Sequence, residues 1–237
     1  MTDKLSQPPT EDEPLVLLPG MNCSTGLWSR LEIGPVLNPW LTEPSLNGQI
    51  ERLLDELPPR FALAGVSLGG IVAMAVARRA PQRVSRLCLM STNPHQPTPA
   101  QLIGWAAQRA ELAAGAGARD VQESILSLLL SPTVIRKQPD LVQLTLEMAD
   151  DIGATILDAQ LRMQATRVDE RPGLTQLRCP TLIIAARGDA LCSVDRHLEM
   201  AALVPGAQLE ILEHCAHLSP LERPDQVSER LARWRLL

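Results

Sequence analysis

Three residues whose types could together carry out nucleophilic catalysis occur in the order Ser67, Asp189 and His217. A serine hydroxyl becomes a strong nucleophile when an imidazole removes its proton, and a carboxylate fixes the imidazole tautomer and stabilises its cation. Each of these residues lies one loop beyond an apolar segment that predicts a buried strand. Their types and order therefore predict acyl transfer through a covalent intermediate on Ser67.

Ser67 lies in the sequence Gly65-Val66-Ser67-Leu68-Gly69-Gly70. The apolar residues before it predict a strand buried on both faces, and the apolar residues after it predict a buried helix. A sharp turn between strand and helix leaves no room for side chains at its flanks, which explains the glycines. The turn places the serine hydroxyl at a helix N-terminus, where backbone amides favour developing negative charge. The alternative is a glycine-rich turn in which the serine only caps the helix.

Other residues compete with Asp189 and His217 for the acid and base roles. Asp195 is the alternative acid, but it lies at the start of a predicted helix, where a carboxylate suits the helix dipole. His214 shares the loop of His217, and we expect it to be exposed or paired there. His197 falls within the predicted helix, and we expect it at the surface.

The alternation of strands and helices predicts an α/β fold with a mostly parallel, doubly wound sheet. Ligands of such sheets bind outside the carboxyl ends of the strands, where Gly20–Met21 and the three candidate residues lie. The predicted core helices are 25–31, 50–57, 71–79, 194–203 and 224–236. The predicted strands are 15–18, 61–65, 84–90, 181–186 and 207–212, with a further short strand at Trp40–Leu41.

Residues 100–163 read as a run of helices without a strand, with predicted boundaries at 100–115, 118–130, 133–149 and 152–167. We interpret residues 92–171 as a helical cap inserted into a core formed by 14–91 and 172–237, with 1–13 as a flexible N-terminal tail. Trp105, Met148 and Met163 are candidates to line a pocket under this cap, and core packing is the alternative for the two methionines. His95 opens the cap and is expected to be a loop histidine, although it could reach the pocket. The charged run 167–171 predicts an ion-paired surface.

Composition limits the possible partners and cofactors. The 237 residues carry a net charge of −5 without a long basic run, which disfavours nucleic-acid binding. We expect no membrane span, because no apolar run approaches about 20 residues. The five cysteines are scattered, with neither disulfide nor metal-ligand spacing, and Cys215 is expected to be a buried small residue. We therefore expect a cytoplasmic protein without a metal or cofactor, and the oligomeric state stays open.

Four segments together carry a resemblance to a known family: Leu17–Met21, Gly65–Gly70, Ala186–Asp189 and Cys215–Pro224. They are similar to the oxyanion loop, the elbow, the acid turn and the histidine loop of the α/β-hydrolase superfamily. On these segments the chain from Pro14 to Leu237 resembles that superfamily, and in particular its small capped bacterial serine hydrolases. The first strand of this sequence is expected to correspond to the third strand of the family, without the first two. Pro19 stands where a histidine often precedes the glycine, and Ala216 replaces the usual glycine before the histidine.

The resemblance implies a serine hydrolase that cleaves an ester, thioester or lactone of a small-to-medium apolar substrate. In this interpretation Ser67 attacks, His217 is the base, Asp189 orients it, and the backbone amides of Met21 and Leu68 hold the oxyanion. The same residues could serve carbon–carbon bond hydrolysis or acyl transfer to an alcohol. A small-molecule receptor on this fold, without useful turnover, is the alternative from another functional class.

Overall fold

The computed structural model describes residues 13–237, so the predicted tail 1–13 lies outside it apart from Glu13. The strands of this part of the chain are β1 (Leu15–Leu18), β2 (Val36–Leu37), β3 (Phe61–Val66), β4 (Val84–Met90), β5 (Thr181–Ala186) and β6 (Gln208–Leu212). They form one six-stranded sheet in the order β2-β1-β3-β4-β5-β6. Every neighbouring pair is parallel, which confirms the predicted sheet type.

Helices cover both faces of the sheet. They are α1 (Leu46–Glu56), α2 (Leu68–Arg79), α3 (Pro99–Ala113), α4 (Ala118–Ser124), α5 (Leu126–Leu129), α6 (Pro132–Lys137), α7 (Pro139–Ala165), α8 (Arg171–Leu174), α9 (Val194–Leu203), α10 (Ser219–Glu222) and α11 (Pro224–Arg235). A 3₁₀ turn at Thr25–Trp28 replaces the longer helix predicted for 25–31. The short α10 was not predicted.

Alternate residues of the strands point into two separate hydrophobic clusters. In β1, Val16 packs in the cluster that includes α1 and α2, whereas Leu17 packs in the cluster that includes α11. Strands buried on both faces consist of apolar residues without alternation, because neither face contacts water. This explains why β3, β4 and β5, which are buried along their whole length, were predicted closely from the sequence.

The segment interpreted as a helical cap lies between β4 and β5, and among the described residues it contains α3 to α7 and no strand. Three helices predicted for this region differ from the structure. The helix predicted for 133–149 divides at Gln138, which separates α6 from α7. The helix predicted for 118–130 divides at Ile125, which separates α4 from α5. The break predicted between 149 and 152 lies instead at Gly153, where φ of 69° and ψ of 166° are non-helical, so α7 consists of two helical segments that meet at a kink. Glycine tolerates this backbone conformation at little steric cost.

The short strand predicted at Trp40–Leu41 is wrong, because the edge strand is β2, which pairs only with Leu15 and Val16. Leu41 is buried in the core beside α1, and its carbonyl accepts a hydrogen bond from Gln160 of the cap. An irregular segment fixed by a side-chain contact does not produce a strand pattern. Among residues 13–237, no helix combines the length and the apolar character that crossing a membrane requires.

Candidate active site

Ser67 lies at the turn between β3 and α2, with φ of 54° and ψ of −115°. A non-glycine residue rarely adopts a positive φ, and such strain is typical of a nucleophile elbow. The neighbouring glycines are required by close packing. A Cβ atom at Gly65 would lie 2.3 Å from the Gly69 carbonyl oxygen, and one at Gly69 would lie 2.1 Å from that of Leu18. The packing of the backbone at this turn therefore requires glycine at these two positions.

Asp189 and His217 form a buried, hydrogen-bonded pair at the ends of β5 and β6. His217 Nδ1 lies 2.8 Å from Asp189 Oδ2, and the two side chains are almost inaccessible to solvent. The other carboxylate oxygen, Oδ1, accepts hydrogen bonds from the amides of Leu191 and Cys192 at 2.8 and 2.9 Å. Burial acts to raise the pKa of the Asp189 carboxyl, but His217 and the two amides outweigh it and lower that pKa below its ordinary value.

Ser67 and His217 line the same cavity, which has a volume of about 240 Å³. No hydrogen bond joins the Ser67 hydroxyl to the His217 ring within the described chain. Hydrogen bonds between catalytic groups are often long or poorly aligned before substrate binds. Asp189 fixes the ring through Nδ1, so Nε2 is the nitrogen left for a serine in this cavity.

Two backbone amides beside Ser67 are free to hold an oxyanion. The amides of Met21 and Leu68 donate no hydrogen bond among residues 13–237. By contrast, the amide of Asn22 donates to Gln160 Oε1 at 2.8 Å. That bond occupies the amide of Asn22, the alternative donor next to Met21 in the same loop.

The three residues predicted to line the pocket lie in different surroundings. Trp105 lines the cavity. Met163 is fully buried in the core cluster that includes α1 and α2. Met148 is buried on the side of α7 that faces the 3₁₀ turn, where its Cγ would lie 3.0 Å from a Cβ at Gly26. Neither methionine lines the cavity, because both occupy helix positions that face the core. Both methionines pack in the core, which was the alternative to lining the pocket.

His197 is not at the surface, and this prediction is wrong. Its ring is fully buried under the acid loop, where Nδ1 lies 2.9 Å from the Ser193 carbonyl oxygen. Nε2 accepts a hydrogen bond from the Thr92 amide at 3.2 Å. The hydroxyl of Thr92 in turn donates to the carbonyl of Ser67 at 2.8 Å. A neutral His197 therefore holds the residue that supports the elbow, and burial lowers its pKa.

The other competing residues lie where the sequence predicted them. Asp195 is exposed in the first turn of α9. His214 is exposed, and His95 lies in a loop, with Nε2 2.6 Å from Glu199 Oε2. Cys215 is buried among apolar residues, and burial raises the pKa of its thiol.

One group among residues 13–237 has the side-chain types and proximity of a metal site. It consists of Asp189, Cys192 and His217, with ligand atoms within 4.8 Å of one another. Burial raises the pKa of the Cys192 thiol to about 12, whereas a metal binds the thiolate. His217 already uses Nδ1 for Asp189. The donor set therefore suits a carboxylate–imidazole pair better than a metal.

The histidine loop is fixed to the cap by the glutamate that follows it. Glu222 Oε1 accepts a hydrogen bond from the Ser131 amide at 2.6 Å, and the carboxylate is 5% exposed. Burial raises the pKa of Glu222. This bond joins the loop of His217 to the start of α6.

A sequence profile described as the Alpha/beta hydrolase family matches residues 15–230. The chain belongs to the alpha/beta hydrolase family. This alpha/beta hydrolase is 31% identical over 200 residues to the pimeloyl-[acyl-carrier protein] methyl ester esterase of Nitrosomonas europaea, covering 77% of the chain and 74% of the relative. It is 26% identical over 186 residues to 3-oxoadipate enol-lactonase 2 of Acinetobacter baylyi, covering 76% and 65%.

The fold of this alpha/beta hydrolase is found in solved structures. An esterase from Thermogutta terrifontis superposes with a TM-score of 0.84 at 20% identity, covering 95% of this chain and 90% of that one. The sequence relatives are named for reactions on esters and a lactone. They support an ester-cleaving hydrolase.

Proposed function

We propose that this chain is a serine hydrolase that cleaves a carboxylic ester, thioester or lactone through an acyl-enzyme on Ser67. The observation that carries the proposal is the buried Asp189–His217 pair, which shares one cavity with a serine at a strained elbow. An ordinary capping serine would need neither the positive φ nor the paired imidazole.

In the proposed first step, Ser67 Oγ attacks the substrate carbonyl while His217 Nε2 takes the hydroxyl proton. The negative charge that develops on the carbonyl oxygen is held by the amides of Met21 and Leu68. Asp189 keeps the proton of His217 on Nδ1 and stabilises the imidazolium. His217 then delivers the proton to the leaving alcohol, thiol or ring oxygen, and the acyl group stays on the serine.

In the second step, water attacks the acyl-enzyme as His217 takes one of its protons. The same amides hold the second oxyanion. The bond between the acyl carbon and Ser67 Oγ then breaks, His217 returns its proton to Oγ, and the carboxylic acid product leaves. The chain's own residues supply every proton transfer of this cycle, so the proposal includes no cofactor or metal. A small-molecule ester-like substrate is the proposed partner, and the five free cysteines agree with a cytoplasmic location.

The test combines active-site labelling with turnover. A fluorophosphonate should add one mass equivalent to the wild-type chain and none to Ser67→Ala. Turnover of short p-nitrophenyl esters should be abolished in the same variant. Ser193→Ala is the matched control, because Ser193 is exposed and its side chain makes no capping hydrogen bond to the helix that follows it.

Activity of Ser67→Ala within tenfold of wild type would remove Ser67 from the mechanism. Labelling of Ser67 without multiple turnovers on any ester would favour the receptor alternative instead.

A further inference from the structure

Arg167 is a buried cation in the wall of the cavity that holds Ser67 and His217. It follows α7 at the end of the cap, and only 6% of the residue is exposed. The sequence predicted an ion-paired surface for residues 167–171. The ion pairing holds for other members of the run, although Glu170 is itself buried. Arg171 pairs with Asp169, and Glu170 pairs with Arg78. For Arg167 the prediction is wrong.

The guanidinium of Arg167 contacts neutral groups alone within residues 13–237. Nη1 donates to Gln164 Oε1 at 3.0 Å, and Nη2 donates to Gln101 Oε1 at 2.9 Å. The guanidinium carbon lies 5.2 Å from the centre of the Trp105 ring. Nε is buried without a hydrogen-bond partner. Two amide oxygens and one aromatic ring thus satisfy part of the group and supply no opposite charge.

A buried cation without a counter-ion is costly. Removing an ion from water carries a penalty of several kcal/mol, so buried charges are normally paired. Even the more exposed cap arginines Arg109 and Arg162 have a counter-ion, since both pair with Asp158. Burial also lowers the pKa of Arg167. The missing partner is therefore expected from outside the described residues 13–237.

We propose that Arg167 binds a carboxylate of the substrate, so that the enzyme acts on esters or lactones that carry a second, anionic group. This inference rests on the proposed function and names the substrate class for the same cavity. The guanidinium fork matches a carboxylate through two parallel N–H donors, and Nε is the donor that has no partner. Gln101 and Gln164 orient the fork, and Trp105 covers one face.

The rest of the cavity fits the part of the substrate between its two polar ends. Apolar side chains line the cavity together with Ser67 and Arg167. They would contact the methylene chain that connects the reacting carbonyl to the carboxylate. The apolar substrate predicted from the sequence is thereby refined to one with an apolar middle and a charged end. The apolar lining residues are Met21, Ile71, Ile125, Leu129, Leu191 and Leu218.

The test compares two p-nitrophenyl esters of equal acyl length, the hexanoate and the monoester of adipic acid. They differ only in the terminal carboxylate. We expect wild type to prefer the adipate ester by at least about tenfold in kcat/KM, a ratio that matches the strength of hydrogen bonds to charged groups. The difference should lie mainly in KM. Monoesters of shorter and longer diacids will locate the best spacing.

Arg167→Met should bring the ratio of the two kcat/KM values to about one or below. Arg162→Met is the matched control, because this cap arginine is exposed, pairs with Asp158 and does not line the cavity. It should keep the wild-type ratio. A role of Arg167 in structure alone would lower both kcat/KM values together and preserve the ratio, which would overturn the proposal.

A binding measurement separates this inference from the proposed function. Calorimetry should detect adipate, but not hexane-1,6-diol, binding to Ser67→Ala, and the additional change Arg167→Met should abolish it. If no ester is turned over, the proposed function fails while the titration still tests Arg167. If esters are turned over without preference and adipate does not bind, the inference fails alone.

Folding of the variant is itself informative. The melting temperature of Arg167→Met should not fall below that of wild type, because the change removes an uncompensated buried charge. Should this variant fail to fold, Arg167→Lys keeps the charge and loses the fork. It should then show a reduced ratio, and an undiminished one would contradict recognition through the guanidinium.

Discussion

The replacement of Asp189 by asparagine tests the proposed mechanism at one atom. Asp189 Oδ1 accepts two backbone amides, so an asparagine must keep its carbonyl oxygen there. Its NH₂ group is then turned toward His217 Nδ1, where the carboxylate oxygen lay at 2.8 Å. An NH₂ group donates, and Nδ1 must become the acceptor. The proton of the neutral ring moves to Nε2, which can no longer take a proton from Ser67.

The expected loss is large because the wrong tautomer is fixed by neighbouring bonds. Restoring the proton to Nδ1 would set two donors against each other in a buried site, at a cost of about 1–3 kcal/mol for each unsatisfied group. The imidazolium would also lose its counter-charge. Together these effects predict a fall in kcat of about 10³–10⁴, as for the corresponding change in serine proteases.

The assay measures kcat on a short p-nitrophenyl ester together with the rate of fluorophosphonate labelling. Both should fall in Asp189→Asn, while the ¹⁵N shifts of His217 report the Nε2–H tautomer. Asp195→Asn is the matched control, because Asp195 is exposed in the first turn of α9. It should stay within about threefold of wild type, as surface substitutions do. An Asp189→Asn enzyme within tenfold of wild type, or a larger loss in the control, would refute the assignment.

Three further predictions concern the groups around this pair. Met21→Ala should keep most of the activity, whereas Met21→Pro removes the amide donor and should lower kcat about 10²–10³, provided that it folds and still binds a fluorophosphonate. Equal inactivity of the two would show that the side chain matters instead. His197→Leu leaves the Thr92 amide unpaired and should destabilise the protein by about 1–3 kcal/mol in urea unfolding. An unchanged midpoint would show that this buried bond is dispensable. Trp105→Ala should change the ratio of kcat/KM between short and long acyl esters, and an unchanged profile would show that this part of the cap does not contact the acyl chain.

The fold could be predicted from the sequence wherever one physical requirement dominates. Strands β3 to β5 are apolar apart from Ser85, Arg86 and Thr181 near the starts of β4 and β5, because both faces are covered. Helix α9 was predicted with its observed bounds. The elbow glycines follow from contacts that no side chain could fit. Strand β2 has two residues at the sheet edge, and its pairing comes from the neighbouring strand. Such a short segment has no pattern of its own.

Side-chain surroundings were harder to predict than positions. His197 shares a helix face with Met200, three residues later, and both are buried. That spacing was a visible signal of burial, but a histidine in a charged helix suggested the surface. Arg167 belongs to a run of charges in which other members form ion pairs. Its burial depends on how the end of α7 packs against α3. That packing cannot be derived from the sequence of residues 167–171.

The cap lines the cavity, and it also makes hydrogen bonds to the loop that contains Met21 and to the loop that contains His217. Gln160 of α7 holds the amide of Asn22 in the oxyanion loop, and the Ser131 amide holds Glu222 behind the histidine loop. These loops lie at β1 and β6, far apart in the order of the sheet. A shift of the cap would therefore move the oxyanion donors relative to the base while it reshapes the cavity. Changes within the cap that disturb these two bonds should alter kcat together with KM, whereas changes confined to the cavity wall should act mainly on selectivity.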